Sequence, residues 1–128
     1  MTYYIARTVS KPFDAAIAML TDALHKQGFG VLTDIDVRET LKKKLDLDIR
    51  PYRILGACNP RFAHQALQIE DKIGTMLPCN VIVQQRDDGR VEIAAVDPVA
   101  SMQAVDNPNL TAVAQQVRTL LERAVESV

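Results

Sequence analysis

The chain alternates between two kinds of apolar spacing. Residues 2–10 are rich in aromatic and β-branched side chains, and polar and apolar positions alternate cleanly from Ile5 to Val9. That is period two, which predicts a first strand over 2–10. Ser10 and Pro12 then supply a helix start, because proline is tolerated where its missing N–H is not needed. Phe13, Ile17, Leu20 and Leu24 follow at helical spacing with Ala16 on the same stripe, and Gly28 fits the stop position. A helix is predicted from about Pro12 to Gln27. Phe29, Val31, Thr33, Ile35 and Val37 alternate with Gly30, Leu32, Asp34 and Asp36, the pattern of a half-buried strand. Leu41 and Leu45 lie one helical turn apart in the next segment, which predicts a short helix broken at Arg50-Pro51.

Residues 52–58 read as a third strand. Asn59-Pro60 resembles a cap followed by a first helical position, with the asparagine accepting from the free amides of the helix start. Phe62, Ala66, Ile69 and Ile73 form the apolar stripe of that helix and Gly74 closes it. His64 and Asp71 point away from the stripe, and Glu70 sits at its edge. Residues 79–86 and 90–96 are strands around Asp87-Asp88-Gly89. A two-residue loop would put Val81 and Val83 on one face with Glu92. A three-residue loop pairs Arg86 with Arg90 and sets Cys79, Val81 and Val83 beside Val91, Ile93 and Ala95. The second separates polar from apolar better and is preferred, with Gln84, Arg86 and Glu92 on the other face. Asp97-Pro98 opens a loop or short helical turn, and Asn107-Pro108 marks a boundary. A last helix follows over 109–127, with Leu110, Val113, Val117, Leu120 and Ala124 on its buried face. The order is βαβαβαββα in one domain, residues 1–128.

Composition narrows the function classes. A chain of 128 residues buries about two-thirds of its unfolded surface, enough for a core without disulfides or metals. Its 48% hydrophobic and 24% charged content is that of an ordinary soluble domain. A formal net charge of −1 gives no broad electrostatic drive toward nucleic acid or an anionic membrane. Aromatics at 5% with no Trp argue against a base- or sugar-stacking surface. The N-terminus lacks the basic and apolar regions of a secretory signal, and no apolar run approaches the ~18 residues of a spanning helix. The cytoplasm is therefore the expected compartment, with both thiols reduced.

Few residues carry candidate chemistry. Cys58 ends a strand before a helix N-terminus, where amides and dipole favour a thiolate. Cys79 starts the next strand on the core-facing side. The pair reads either as redox or soft-metal ligands, or as two small buried hydrophobes, the usual role of free cysteine. If their strands are antiparallel neighbours the thiols lie near each other; a parallel crossover would put them at opposite ends of the sheet. His25, His64 and Glu70 are the other potential metal ligands, but no ligand spacing links them, and no metal or cofactor is expected. Glu70 reads either as a partly buried acid near a ligand or as a helix-edge residue paired with Lys or Arg. Lys42, Lys43 and Lys44 with Arg38, Arg50 and Arg53 form the one basic concentration, best read as a solvated face. The serines lack a nucleophile-elbow context and no glycine loop resembles a phosphate cradle.

The run Gly56-Ala57-Cys58-Asn59-Pro60, then Ala66-Leu67, Glu70, Gly74 and Leu77-Pro78-Cys79-Asn80-Val81, resembles the family catalogued as domain of unknown function 302. Gly28-Phe29-Gly30-Val31-Leu32, Asp97-Pro98 and Asn107-Pro108-Leu110 fit the same pattern. The resemblance spans nearly the whole chain. It implies an α+β fold with helices packed on one face of a curved, mainly antiparallel sheet, in the manner of TATA-binding-protein-like folds, and a homodimer. It brings no settled activity and no catalytic residue. Two readings follow. One is a non-enzymatic binding module for a small ligand, with Cys58, Asn59, Glu70, Cys79 and Asn80 as candidate contacts. The other is thiol chemistry at Cys58 and Cys79.

Overall fold

The computed structural model describes residues 2–128. The elements are β1 (Tyr4–Val9), α1 (Phe13–Lys26), β2 (Gly30–Asp36), α2 (Val37–Leu45), β3 (Tyr52–Cys58), α3 (Pro60–Ile69), β4 (Cys79–Gln85), β5 (Val91–Val96), α4 (Pro98–Ser101) and α5 (Asn109–Glu126). Short 3₁₀ turns cover Ile73–Met76 and Met102–Ala104. The five strands form one antiparallel sheet in the order β1-β5-β4-β3-β2. The implied α+β architecture is the one observed.

The sheet's two faces follow from alternation. Leu55, Ala57, Cys79, Val81, Val83, Val91, Ile93 and Ala95 are buried, and they form the core with Leu20 and Leu24 of α1 and Leu110 and Leu121 of α5. Helices α1, α3 and α5 close over this face. The hairpin takes the three-residue loop: Arg86 N–H donates to the Arg90 carbonyl at 2.8 Å, and Gly89 adopts φ +85°. This register buries the three β4 and three β5 residues expected inside. It leaves Gln84 and Arg86 to hydrogen-bond Glu92 at 2.8 and 3.1 Å on the other face.

Three boundaries and one buried stripe depart most from expectation. The first strand is shorter, starting at Tyr4. Helix α2 ends before Arg50-Pro51, because Asp46 turns left-handed at φ 54° and its N–H caps the Leu41 and Lys42 carbonyls. Helix α3 stops at Ile69, so Ile73 and Gly74 belong to the separate 3₁₀ turn rather than to the helix. In α5, Leu121 is fully buried and Leu120 only partly, so the buried stripe passes one residue later.

Strand β2 departs most in its physics. Its pairing with β3 runs Gly30 to Cys58 and Val31 to Ala57, then resumes at Thr33 to Gly56, with Leu32 bulged out. One extra residue reverses the facing of all that follows. Asp34 therefore shares a side with Leu55, while Ile35 joins Ile54 on the open face. Asp34 accepts two bonds from the Arg53 guanidinium, and that contact holds its carboxyl below the ordinary carboxylate range.

Gly56 makes the bulge's register possible. A β-carbon there would collide with the Thr33 hydroxyl and stand 2.8 Å from the Pro78 ring. Gly56→Ala is expected to cost about 1–3 kcal/mol, as overpacking does, read as a lower urea midpoint at unchanged m value. A midpoint equal to the parent would mean that Thr33 and Pro78 give way freely.

Candidate functional site

A cavity of about 250 Å³ opens where α3, α5 and the β3–β4 end of the sheet meet. Its walls are apolar: Phe29, Phe62, Leu77, Met102, Val113 and Val117 among them. Small side chains create the space. Ala63 and Ala66 lie one turn apart on α3, and Ala114 faces in from α5, so the helices meet the sheet end without filling it. No charged side chain borders it, and Asn59 is its one polar amide.

Antiparallel pairing of β3 with β4 decides where the thiols lie. Ala57 is opposite Cys79, so Cys58 stands one residue beyond Cys79's partner. Both border the cavity, as free thiols. Cys79 is buried, and desolvation, with a smaller push from Cys58, raises its thiol from 9.0 to about 11. It is a neutral, apolar wall at physiological pH. Cys58 is half-buried at the start of α3.

Asn59 occupies the N-cap position of α3, but its side chain does not cap that helix. Its amide donates instead to the Gln27 carbonyl at 3.3 Å, beyond the last turn of α1. Gly28 lies against it: φ is +89°, and an added β-carbon would sit 3.1 Å from the Asn59 amide nitrogen. Asn107 repeats the device, donating to the Ile69 carbonyl at 3.1 Å while its own oxygen accepts from the Asn109 N–H. Asp97, the third acidic or amide residue before a proline, does cap: it accepts from Val99 and Ala100, and its second oxygen accepts from Arg118 of α5 at 3.0 Å.

The remaining candidates separate. Glu70 ends α3 with an ordinary backbone bond to the Ala66 carbonyl and does not border the cavity. It has no ion-pair partner among the described residues. Asn80 follows Cys79 along the strand and so points to the opposite, open face. Cys58, Asn59 and Cys79 come together; Glu70 and Asn80 do not join them. His25 and His64 are both exposed. Among the described residues no group of three or more His, Cys, Asp or Glu gathers as a metal site. Within the basic stretch, Lys42 pairs with Asp46 at 2.9 Å and Lys43 with Glu39 at 2.7 Å, while Arg53 bonds Asp34. Among the described residues no helix is long and apolar enough to cross a membrane.

Sequence reasoning missed Met102, Val113 and Ala114 as walls of the cavity that Cys79 also borders. The visible signal was the pair Ala63 and Ala66 on α3, small residues where the stripe elsewhere carries large ones.

Residues 5–128 match the family model described as domain of unknown function DUF302. The fold is also that of a crystal structure of an uncharacterized conserved protein DUF302 from Bacillus stearothermophilus. The two share 29% sequence identity over 99% of this chain and 98% of that one, with a TM-score of 0.93. Among curated proteins, none matches.

Two measurements probe this site. Asn59→Asp keeps a good helix cap but loses the amide donor to Gln27; the expected result is destabilisation by about 1–2 kcal/mol in urea. A neutral or stabilising effect would show that Asn59 acts as a cap. For Cys79 the folded state holds its proton more tightly than the unfolded state. The associated stability is therefore complete below about pH 9 and lost as pH rises toward about 11. Cys79→Ala should flatten that part of the stability–pH curve relative to the parent, and equal slopes would contradict the assignment.

Proposed function

The chain belongs to the DUF302 family, and from that premise we propose that it is a non-enzymatic binding protein for a small apolar molecule held in the α3–α5 cavity. The observation that carries the reading is the cavity's composition: apolar walls, with Asn59 as the one amide and Cys58 beside it at the start of α3. Ligand sites are typically concave, apolar and furnished with few polar groups. A volume of about 250 Å³ lies below the range of drug-sized pockets and above that of an engineered cavity that takes up benzene. It suits a single ring or a short aliphatic chain. The polar contacts fall to Asn59 and Cys58, with Glu70 and Asn80 outside them.

Thiol chemistry is the other reading. It needs an accessible thiol of lowered pKa, and burial moves Cys79 the opposite way. Cys58 alone would then carry it, with Cys79 as wall.

Monocyclic aromatics and short-chain alcohols and carboxylic acids, each followed by thermal shift, test the binding reading. At least one class is expected to raise the melting temperature progressively with concentration, through a stabilisation of about 2.7 kcal/mol at a hundredfold excess over its dissociation constant. Ala63→Leu, which fills the cavity from a half-buried position, should abolish the shift while leaving the fold intact. No shift from any class would sink the reading.

A further inference from the structure

A second hollow, of about 420 Å³, lies beside the apolar cavity. The two share two bordering residues, Met102 and Ala114. Helix α3 orders them along the fold. The cavity follows that helix from Asn59 to Ala66, about 10 Å at the helical rise. Three residues past Ala66, the Ile69 carbonyl accepts from Asn107, which borders the second hollow. The second hollow therefore continues from the Ala66 end of the cavity, and Asn59 stands at the other end.

Resting on the reading of this cavity as a ligand site, we propose that it takes a straight-chain alcohol whose hydroxyl lies at Asn59 and whose longest accepted chain is set by the side chain of Met102. The head group follows from charge and hydrogen bonding. Among the described residues no lysine or arginine borders either hollow, and Asp106, at the far one, is the one charged residue. A carboxylate, phosphate or ammonium held at Asn59 would be buried without a counter-charge, which is costly. A hydroxyl escapes that cost. Asn59 gives its N–H to the Gln27 carbonyl, and no amide of α3 donates to its oxygen. What it offers a ligand is an acceptor, and a hydroxyl supplies the matching donor. The chain follows from shape, because the apolar walls run along α3 and then past Met102 into more apolar wall.

Met102 is the partition between the two spaces, since Ala114 stops at its β-carbon. Its backbone is anchored: the N–H donates to the Pro98 carbonyl, and the carbonyl accepts from Val105 at 3.0 Å. The residue is half-buried, and its side chain is unbranched and adaptable. Beyond it, Val99, Val105 and Leu110 line the second hollow before its polar rim at Asp106 and Asn107. A chain longer than the cavity meets the thioether. With the thioether removed, the same chain passes on to those apolar walls.

Isothermal titration calorimetry of the straight-chain primary alcohols from butanol to decanol, on the full chain, tests it. In the parent the dissociation constant is expected to fall about fourfold for each added methylene, then to stop falling at a limiting length. Met102→Ala should move that limit about two carbons longer, so that an alcohol one carbon past the parent's limit binds about fourfold more tightly to the variant. Met102→Val, a milder loss of volume, should move it the same way and carries the test where alanine unfolds the chain, which circular dichroism reads. Carboxylates of matched length should bind about tenfold more weakly than the alcohols, or less tightly still. An unchanged limit in the folded variants, with alcohols still bound, overturns the role of Met102 and leaves the cavity standing as a ligand site. Carboxylates that bind as tightly as alcohols overturn the head-group assignment. Aromatic ligands bound where no alcohol is overturn the chain assignment alone, whereas failure of every class removes the binding reading itself.

Discussion

A single side-chain amide ties the two crossings of this fold together. Asn59 stands where β3 becomes α3, and its N–H reaches the carbonyl of Gln27, where α1 gives way to β2. Four elements meet at that bond. In this part-buried setting a hydrogen bond contributes about 0.5–1.5 kcal/mol, and the contact fixes the spacing of the two turns as well as adding to their stability. The left-handed Gly28 is part of the same arrangement, since a side chain would press on the amide. Asn107 does for the end of α3 what Asn59 does for the end of α1. The ends of α1 and α3 are therefore each satisfied by an asparagine that precedes a later helix, α3 and α5 respectively, and the helices are placed relative to one another by polar bonds as well as by apolar packing.

The cavity follows from this placement. With α3 and α5 held at their ends, the alanines between them cannot be compensated by the helices closing in. Interiors are normally filled to crystal-like density, and a void forfeits contact energy on every wall. Here the void is lined by residues whose enlargement would be simple, which is why it reads as a site rather than as loose packing. The same walls neutralise Cys79. A thiol among Ala57, Phe62 and Val117 is held in its protonated form, and its value there is volume and apolarity.

Much of the fold was legible because the signals were local. The β4–β5 register came from the segregation of Cys79, Val81 and Val83 from Gln84 and Arg86, information contained within one hairpin. Proline's geometry marked the helix starts, at Pro60 for α3 and one residue after Pro12 and Pro108 for α1 and α5, and at Pro98 it pointed to a loop or short helical turn, where α4 begins. What was not legible depended on partners far away in sequence. The regular alternation from Phe29 to Val37 concealed the bulge at Leu32, because the reason for it lies in Gly56 of another strand. Asn59 had the identity of a cap, and nothing nearby indicated that Gln27 would claim its amide. Of the site, Cys58, Asn59 and Cys79 were all candidates, but the residues alone left open whether the two thiols meet; the antiparallel pairing that brings them together was what the family resemblance implied. Asn80 was grouped with them by sequence adjacency, although strand alternation sends it to the other side of the sheet, and Glu70 was placed with them on a helix that ends just before it.

The bulge in β2 also bears on how the edge of this sheet can pair. A sheet with two bare edges can grow sideways without limit, each chain adding strands to the next. On β2 the backbone is kinked at Leu32, and beyond it Asp34 turns a carboxylate toward the core side. An incoming strand would meet interrupted hydrogen-bonding groups beside the Asp34–Arg53 ion pair. That leaves β1 as the regular edge. A sheet with one irregular edge has a single regular edge left, the arrangement by which an edge strand guards against open-ended growth.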